Sequence, residues 1–406
     1  MQKISHLIAI AVSVVTVGGL TISLNINSAS VAWAGANPNP VVSASVAPTG
    51  DRYVFWTCNG YTAICEVHYD PVTKRWAKQP DLRVGQIVSP PSVSVSRDPL
   101  NGGIYVFWAG GARHDLYEDY WTGRYDLRAG RWHGPFNLHM GPLLSAPAAP
   151  GQWYDQRVTG TKEAVAWMGL GNRLRYAYSA SPTNPRSWRG PFTRNVGTIA
   201  SPPGVTDAGG GAVSAWWKGN NGQLYSASLV ADEAVPYGPC DFGMGRLYSM
   251  PSAIWGPGLP VVPEATAGAG ASHVRIGKAA LAGLRGNCPR PASGLVWFGR
   301  YGGYGVCWAG SSGLRCMEWA VTGDASSGDG QVVVAGPFEE GRMGILGSSP
   351  SLGYYPGTYV CSPSGCQFSQ AYAFWQGSNL KQDLIEADAT TNKGPYDLGF
   401  GPLTSF

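Results

Sequence analysis

The chain carries little charge, and no segment has the pattern of a long amphipathic helix. Only 13% of its 406 residues are charged. No long stretch repeats apolar residues at positions i, i+3, i+4 and i+7 with helix formers between them. The net charge is +4 and the basic residues are scattered, so we expect no nucleic-acid partner. The 57 glycines, 31 prolines and 16 tryptophans favour an all-β fold with many turns.

Motifs of the common enzyme classes are also absent. The sequence has no Gly-x-Ser-x-Gly around a nucleophilic serine, no His-Glu-x-x-His, and no glycine-rich loop between a strand and a helix. Residues 324–330 lack the ligand spacing of a calcium loop, and no Cys-x-x-Cys pair with a nearby histidine suggests zinc. We therefore expect no catalytic residue, no metal and no cofactor. A carboxylate pair for glycoside cleavage stays open, because the sequence does not give the distance between two carboxylates.

The N-terminus has the order of segments found in a secretory signal peptide. Lys3 precedes an apolar run over residues 7–22, and the small-residue pattern Ala32-Trp33-Ala34 stands before Gly35. We expect residues 1–34 to be removed and the mature protein to be secreted. The alternative is an uncleaved anchor helix, which the apolar length nearly permits. No other run is long enough, so we expect no membrane span after cleavage.

The eight cysteines predict disulfides, because an even number is typical of a protein from an oxidising compartment. Three pairs flank short hairpin turns, where cross-strand neighbours can come within bonding distance. Those pairs are Cys58 with Cys65, Cys307 with Cys316, and Cys361 with Cys366. The remaining two, Cys240 and Cys288, can join neighbouring outer strands.

A phrase beginning Ser-x-Pro or a close variant recurs along the chain at intervals of 48 to 56 residues, with one double interval. Each unit contains an apolar strand, commonly ending in Trp, then a Leu-containing strand, then a strand with Trp or Gly-Pro. The units start at Ser89, Ser145, Ser201, Ser249, Ser349 and Ser405. Repeats of roughly 40–50 residues with four strands each are typical of β-propellers.

We therefore predict an all-β chain with a single β-propeller over residues 35–406. The repeat predicts seven four-stranded blades, at about 43–88, 89–144, 145–200, 201–248, 249–292, 293–348 and 349–405. The fifth unit lacks both the Trp and the Gly-Pro-Phe phrase. The alternative is therefore six blades with an insertion at about 251–292.

Three glutamates fall at the same place in the repeat: Glu66, Glu118 and Glu386. A carboxylate at that place can accept hydrogen bonds from two sugar hydroxyls. The alternative is that each glutamate points outward along an alternating strand and is only solvated. Trp76, Trp132 and Trp188 share a second place, on the fourth strand, whereas the tryptophans that end the second strands are expected to pack the blades.

These phrases resemble those of the fucose-binding β-propeller lectins. Ser201-Pro202-Pro203 and residues 218–225 are similar to the bacterial seven-bladed Photorhabdus-type lectins, and residues 53–76 are similar to a repeat of the fungal six-bladed lectins. The family pattern combines an arginine on the second strand, a glutamate on the third and a tryptophan nearby. Its arginine has no counterpart here, because Tyr53, Tyr105 and Tyr372 stand at about its place.

The resemblance implies a secreted protein that binds a carbohydrate or glycoconjugate at several shallow sites between blades, without changing it. The residues implied to contact sugar are Glu66, Glu118, Glu386, Trp76 and Trp132. Two alternatives stay open. One is a protein-binding or structural propeller without sugar binding, and the other is a propeller enzyme that cleaves glycosides.

Overall fold

The chain divides into two units, Met1–Ala34 and Gly35–Phe406. A computed structural model of the protein describes residues 37–40, 42–96, 103–150, 152–153, 163–207, 213–229, 238–241, 252–257, 285–286, 302–309, 314–322, 331–340, 346, 348–355, 360–362, 365–367, 370–377, 384–388, 393–398, 400 and 403. The predicted signal peptide lies outside these residues, so cleavage and secretion stay predictions. Within the described ranges, no helix is both long enough and apolar enough to cross a membrane.

The first half of the second unit consists of three antiparallel sheets in chain order, after strand β1 (Asn37–Pro40), which belongs to none of the three. Sheet 1 contains β2 (Val42–Val46), β3 (Arg52–Cys58), β4 (Ala63–Asp70), β5 (Arg75–Lys78) and β6 (Leu82–Arg83). Sheet 2 contains β7 (Ser92–Ser96), β8 (Gly103–Gly110), β9 (Asp115–Gly123), β10 (Gly130–Asn137) and the parallel strand β11 (Gln152–Trp153). Sheet 3 contains β12 (Glu163–Gly169), β13 (Arg173–Ser179) and β14 (Trp188–Thr198), with short 3-10 helices at Leu170–Asn172 and Pro185–Ser187.

Three more antiparallel sheets follow. Sheet 4 contains β15 (Gly204–Asp207), β16 (Val213–Lys218), β17 (Leu224–Ser228) and β18 (Cys240–Asp241). Sheet 5 contains β19 (Ser252–Pro257), β21 (Gly302–Ala309), β22 (Leu314–Thr322) and β23 (Gln331–Glu340). Between β19 and β21 in the chain, the short strand β20 (Arg285–Gly286) pairs with β18 of sheet 4. Strand β24 (Ser348–Ser349) pairs in parallel with β1. Sheet 6 contains β25 (Ser351–Tyr355), β28 (Gln370–Gln376), β29 (Leu384–Asp388) and β30 (Lys393–Asp397), and the hairpin β26 (Val360–Ser362) and β27 (Gly365–Gln367) lies between its first two strands in the chain.

In sheets 2, 3, 4 and 6 a serine at the start of the repeat fixes the loop before the sheet to the end of that sheet's second strand. In sheet 2 the Ser89 hydroxyl accepts a hydrogen bond from the Ala109 N–H at 2.9 Å, immediately after Trp108. Equivalent bonds join Ser145 to Met168, Ser201 to Lys218 and Ser348 to Gln376, all at 3.0 Å. In the last repeat the structural equivalent is therefore Ser348, one residue before the serine that the sequence phrase selects. This shared bond is the physical reason for the periodic serine.

The tryptophans of the second strands pack the sheets against one another, as predicted. They are at most 5% exposed: Trp56, Trp108, Trp167, Trp217 and Trp375. Trp108 of sheet 2 lies in one apolar cluster with Phe55 of sheet 1, and Trp167 of sheet 3 lies in the next cluster with Phe107 of sheet 2. Large aromatic side chains dominate the energetics of such packed interfaces because each buries a large apolar area.

The Gly-Pro phrase of the fourth strands marks an irregularity in the strand pairing. In sheet 3 the register between β13 and β14 shifts across Gly190 and Pro191. Proline has no N–H to give to the ladder, so it occurs at such edge irregularities. The glycine is needed as well: at the equivalent Gly238, φ is +102° and an added Cβ would lie 2.2 Å from the Cβ of Ala227.

Candidate functional site: the junctions between adjacent sheets

The strand register places the three repeat glutamates opposite the same kind of neighbour. Glu66 pairs with Phe55, Glu118 with Phe107 and Glu386 with Phe374. Directly paired residues of antiparallel strands lie on the same face of a sheet. Each of these phenylalanines precedes a packing tryptophan by one residue and faces the next sheet along the chain, or, for Phe374, sheet 1.

A tryptophan from the outer strand of the neighbouring sheet meets each phenylalanine edge to face. The ring centroids are 6.0 Å apart for Trp76 and Phe374, 6.1 Å for Trp132 and Phe55, and 5.5 Å for Trp188 and Phe107. Three successive junctions, between sheets 6 and 1, 1 and 2, and 2 and 3, therefore repeat one Glu/Phe and Trp arrangement. The predicted Trp76 and Trp132 belong to it, and Trp188 completes it.

At the junction of sheets 2 and 3 the glutamate is buried and bound to the tryptophan. The indole Nε1–H of Trp188 donates to Glu118 Oε2 at 3.1 Å. Burial raises the pKa of Glu118 well above its usual value; the bond from Trp188 opposes this rise and the nearby Asp119 adds to it. Trp188 is itself buried, so this junction is closed to solvent.

At the junction of sheets 1 and 2 the glutamate is buried without a partner. Neither carboxyl oxygen of Glu66 has a hydrogen-bond partner within the part of the chain that the structure describes. Burial alone raises its pKa to about 8, because the charged form loses its hydration. Glu66 is fully buried on the face that packs against sheet 2, so simple solvation does not fit its position. Sugar contact by Glu66 and Glu118 stays a prediction that requires these junctions to open, and the Glu386 side chain lies outside the described residues.

The junction of sheets 6 and 1 contains an arginine held between two aromatic rings. The guanidinium carbon of Arg52 lies 3.8 Å from the ring centroid of Tyr69 and 4.0 Å from that of Tyr372. Trp76 is half-buried beside them, 5.4 Å from the Tyr69 ring. The guanidinium carbon also lies 5.8 Å from the Trp76 ring centroid, so Arg52 is close to three aromatic rings. A guanidinium carries its N–H donors in one plane. This junction therefore combines in-plane donors with a partly exposed indole.

A cleft of about 890 Å³ lies at the loops of sheets 1 and 2 and was not predicted from the sequence. Its walls are residues 49, 51, 70–72, 122–126, 128, 129 and 183. Arg128 Nη2 lies 3.0 Å from Asp70 Oδ2. The backbone N–H of Val72, with further help from Thr73 and Arg128, holds the pKa of Asp70 below its usual value despite partial desolvation. The charged groups of this cleft largely neutralise one another.

Behind the cleft, the buried Asp51 and His68 are joined by a contact of 2.6 Å between Oδ1 and Nε2. Tyr53 stacks on His68 with a centroid distance of 5.2 Å, and its hydroxyl donates to the carbonyl of Tyr125. This network connects the strands of sheet 1 to the loop after β9, so it holds the wall of the cleft in place.

The predicted Cys58–Cys65 disulfide is confirmed, with its Cα atoms 5.8 Å apart. Cys307 pairs with Cys316 and Cys361 with Cys366 as direct cross-strand neighbours, although their side chains lie outside the description. Cys240 is disulfide-bonded, and its predicted partner Cys288 lies outside the described residues. Cys58, Cys65 and Asp81 form a group with metal-ligand spacing, but the two sulfurs are bonded to each other.

No protein-family model and no curated protein sequence matches the chain. Solved structures do match. The fucose-specific lectin from Aleuria aurantia has a TM-score of 0.55 at 10% identity, over 91% of this chain and 98% of the lectin. A mutant of that lectin in complex with Fucα1-6GlcNAc has a TM-score of 0.52 at 11% identity, over 87% and 92%. A triple mutant of AofleA from Arthrobotrys oligospora has a TM-score of 0.53 at 10% identity, over 86% and 82%.

The chain is a β-propeller. The similarity to Aleuria-type structures extends over most of the chain, whereas likeness to the Photorhabdus type stays an expectation from the sequence. Arg52 is the residue of this propeller that sequence reasoning missed. It lies at the first position of β3, one residue before Tyr53, where a counterpart of the family arginine was sought. Strand alternation carried a signal, since Arg52, Val54 and Trp56 share the face toward sheet 6.

Proposed function

We propose that the protein is a secreted carbohydrate-binding propeller that binds a fucose-like sugar, without changing it, at the junction of sheets 6 and 1. One similar solved structure is described as a fucose-specific lectin, and another is a lectin mutant in complex with Fucα1-6GlcNAc. The observation that carries the proposal is the Arg52 guanidinium between Tyr69 and Tyr372, beside the half-buried Trp76.

The proposed ring has six blades. Strand β19, from the predicted fifth unit, pairs with β21, from the predicted sixth, so the two units contribute to one sheet. Sheets 6 and 1 are joined by a hydrogen bond of 2.8 Å from the Ala44 N–H to Ser351 Oγ. An equivalent bond of 2.8 Å, from the Val93 N–H to Ser43 Oγ, joins sheets 1 and 2. These contacts support ring closure between the first and last sheets.

The chemistry of the 6/1 junction suits a deoxy sugar. A guanidinium presents several N–H donors in one plane, which matches neighbouring hydroxyl and ring oxygens of a pyranose. The ring of Trp76 provides an apolar surface for the C–H groups of the sugar, at low cost in conformational entropy. Together they recognise both the polar edge and the apolar face of one ligand.

The neighbouring junctions are less suited to this role. The position of Arg52 is occupied by Ile104 in sheet 2 and by the buried Glu163 in sheet 3. Glu66 and Glu118 are fully buried there. The sequence suggested several shallow sites, and the proposal concentrates binding at the one described junction that has an arginine and a partly exposed indole.

The two alternatives have less support. Cleavage of a glycoside requires two carboxyl groups that reach the scissile bond, and the repeat carboxyls Glu66 and Glu118 are enclosed by protein. A protein-binding propeller would not need the arginine and tyrosine stack at the 6/1 junction, although nothing in that stack prevents a protein partner elsewhere on the surface.

The experiment is a calorimetric titration of the purified protein with methyl α-L-fucoside, with methyl α-D-glucoside as the negative ligand. Arg52→Lys keeps the charge but loses the planar fork, and Trp76→Ala removes the indole. We expect each to weaken binding by about tenfold or more, the effect of a lost hydrogen bond to a charged group or a lost stacking surface.

Two control variants locate the site. Trp132→Ala removes the equivalent indole from the next junction, and Arg128→Ala opens the ion pair of the cleft. Unchanged affinity in both supports the 6/1 site. Loss of binding in Arg128→Ala alone would move the site to the cleft, and absence of binding to any glycan would exclude the proposal.

A further inference from the structure

Sheet 3 and the turn after it carry positive charge without nearby negative charge in the sequence. From residue 164 to residue 206 the chain contains no aspartate and no glutamate. The same stretch contains five arginines: Arg173, Arg175, Arg186, Arg189 and Arg194. Glu163, at the start of this sheet, is buried and does not offset their charge at the surface.

The outer strand of this sheet presents an exposed aromatic ring. Phe192 of β14 is 39% exposed, whereas the described tryptophans of the second strands are at most 5% exposed. Its ring stacks on Tyr178 with a centroid distance of 5.5 Å and an angle of 16°, and lies 5.4 Å from Tyr176. Strand β14 is the last strand of its sheet, so the ring stands at a sheet edge.

Two arginines share the face on which these rings lie. The register pairs Tyr178 with Arg189 and Tyr176 with Phe192, and paired residues of antiparallel strands lie on one face. Burial raises the pKa of Tyr176, and the charge of the nearby Arg194 opposes that rise. We name the group of Tyr176, Tyr178, Arg189, Phe192 and Arg194 the β14 face.

The charge of Arg189 is not neutralised within the described part of the chain. Arg189 is exposed and takes part in none of the ion pairs found there. The arginines of the cleft differ, since Arg128 is paired with Asp70 and Arg124 with Asp126. An exposed, unneutralised guanidinium beside an exposed ring attracts a ligand that carries both an anion and an apolar face.

We infer that the β14 face binds an anionic polysaccharide, with Arg189 and Arg194 at its sulfate or carboxylate groups and Phe192 against a sugar ring. A sugar chain fits this face better than nucleic acid does. Duplex DNA carries a charge every ~1.7 Å and is bound through many phosphate contacts, whereas this face offers two arginines around one ring and the whole chain has a net charge of only +4. The inference does not rest on the 6/1 junction, which lies on other sheets.

The test measures binding of the full protein to dextran sulfate, carboxymethyl dextran and neutral dextran of matched length. We expect binding to one or both anionic polymers and none to neutral dextran, with affinity falling as salt rises because exposed charges are screened. Preference for the sulfated or the carboxylated polymer identifies the anionic group. Arg189→Glu is expected to weaken binding by about tenfold, and Phe192→Ala by about threefold.

Matched variants separate this face from general electrostatics. Arg113→Glu makes the same charge change at an exposed arginine in the turn after β8 and is expected to have little effect. Arg189→Lys is expected to retain most of the binding, which shows that Arg189→Glu does not act by unfolding the sheet. Equal losses in Arg113→Glu and Arg189→Glu, binding to neutral dextran, or tighter binding to a DNA duplex than to either anionic polymer would each overturn the inference. The fucoside affinity of the Arg189 variants is expected to be unchanged, so the outcome is independent of the proposed function.

Discussion

Ser351 and Ala44 are 307 residues apart in the chain, yet the backbone N–H of Ala44 donates a hydrogen bond of 2.8 Å to the Ser351 hydroxyl. The bond joins the first strand of sheet 6 to the first strand of sheet 1. The same bond joins Val93 to Ser43 and Ala149 to Ser92, so sheet 6 meets sheet 1 as sheet 1 meets sheet 2. The first and last sheets are therefore in contact through the same type of hydrogen bond that joins sheets 1 and 2.

Removal of this bond tests the contact between the first and last sheets. We expect Ser351→Ala to lower the free energy of unfolding by about 1–3 kcal/mol, because it leaves a buried N–H without a partner. Ser43→Ala removes the equivalent bond one junction along and is the matched control. Urea unfolding measures both. No change in Ser351→Ala, alongside a clear loss in Ser43→Ala, would contradict the 6/1 contact.

The unpartnered Glu66 predicts a stability that depends on pH. Its carboxyl is protonated in the folded protein up to a pKa of about 8, whereas the unfolded chain loses this proton near 4.5. The folded state is therefore favoured most below pH ~4.5, and this contribution is lost as pH rises toward ~8. Glu66→Gln mimics the neutral form, so we expect it to equal the natural protein at pH 4 and to exceed it at pH 8 by on the order of a few kcal/mol.

Asp70 provides a control of opposite sign. Backbone N–H groups and Arg128 lower its pKa, so the stability it contributes is present above its unfolded pKa and is lost as pH falls. We expect Asp70→Asn to be less stable than the natural protein near pH 7 and to approach it at low pH. Denaturant titrations at pH 4, 6 and 8 test Glu66→Gln, and a comparison of pH 7 with about pH 2 tests Asp70→Asn, because its contribution is lost only below the unfolded pKa. A pH-independent difference for Glu66→Gln would show that the carboxyl is hydrated after all.

Trp188 and Trp132 occupy equivalent positions, but the hydrogen bond from Trp188 to Glu118 predicts different stability costs when each is replaced. Trp188→Phe removes the donor to a buried carboxyl and is expected to cost about 1–3 kcal/mol beyond the loss of packing. Trp132→Phe keeps the edge-to-face contact with Phe55 and removes no bond to Glu66, so it is expected to cost less. Thermal unfolding of the pair measures the difference. Equal costs would indicate that Glu118 does not depend on Trp188.

The Cys58–Cys65 disulfide closes a short loop and contributes a correspondingly small share of stability. With a sequence separation of 7, the chain-entropy relation gives about 2.5 kcal/mol. We expect the double variant Cys58→Ser and Cys65→Ser to lose about this amount of unfolding free energy while the sheet still forms, as measured by urea unfolding and circular dichroism. Complete loss of folding would mean that the bridge determines the register of β3 and β4.

The repeat made much of the fold predictable, because its serines and tryptophans each perform one structural task in every sheet. The Ser89 bond to Ala109 and the burial of Trp108 have equivalents in other sheets, so a periodic residue reveals them. The fifth and sixth units could not be assigned in this way. Strands β19 and β21 pair with each other although residues 258–301 separate them in the chain, and the repeat phrase is faint in that stretch.

The candidate site was only partly predictable, because the sequence does not show how deeply a side chain is buried and because some of the contacts do not recur from repeat to repeat. The sequence places Glu66 and Trp132 in equivalent repeat positions, but the burial of a carboxyl depends on which side chain of the next sheet covers it. Arg52 has no equivalent in sheets 2 and 3, so a search for a repeated arginine passes over it. The cleft depends on loops of different sheets, which share no periodic signal.

A glycan array probed with the purified protein and with its Trp76→Ala variant tests the central claim most directly. The account predicts selective binding to fucosylated glycans by the natural protein, and a loss of about tenfold or more in the variant, with the Trp132→Ala variant still binding. Binding that is equal in Trp76→Ala and the natural protein, or no binding to any glycan by a protein whose circular dichroism shows a folded β-structure, would contradict it.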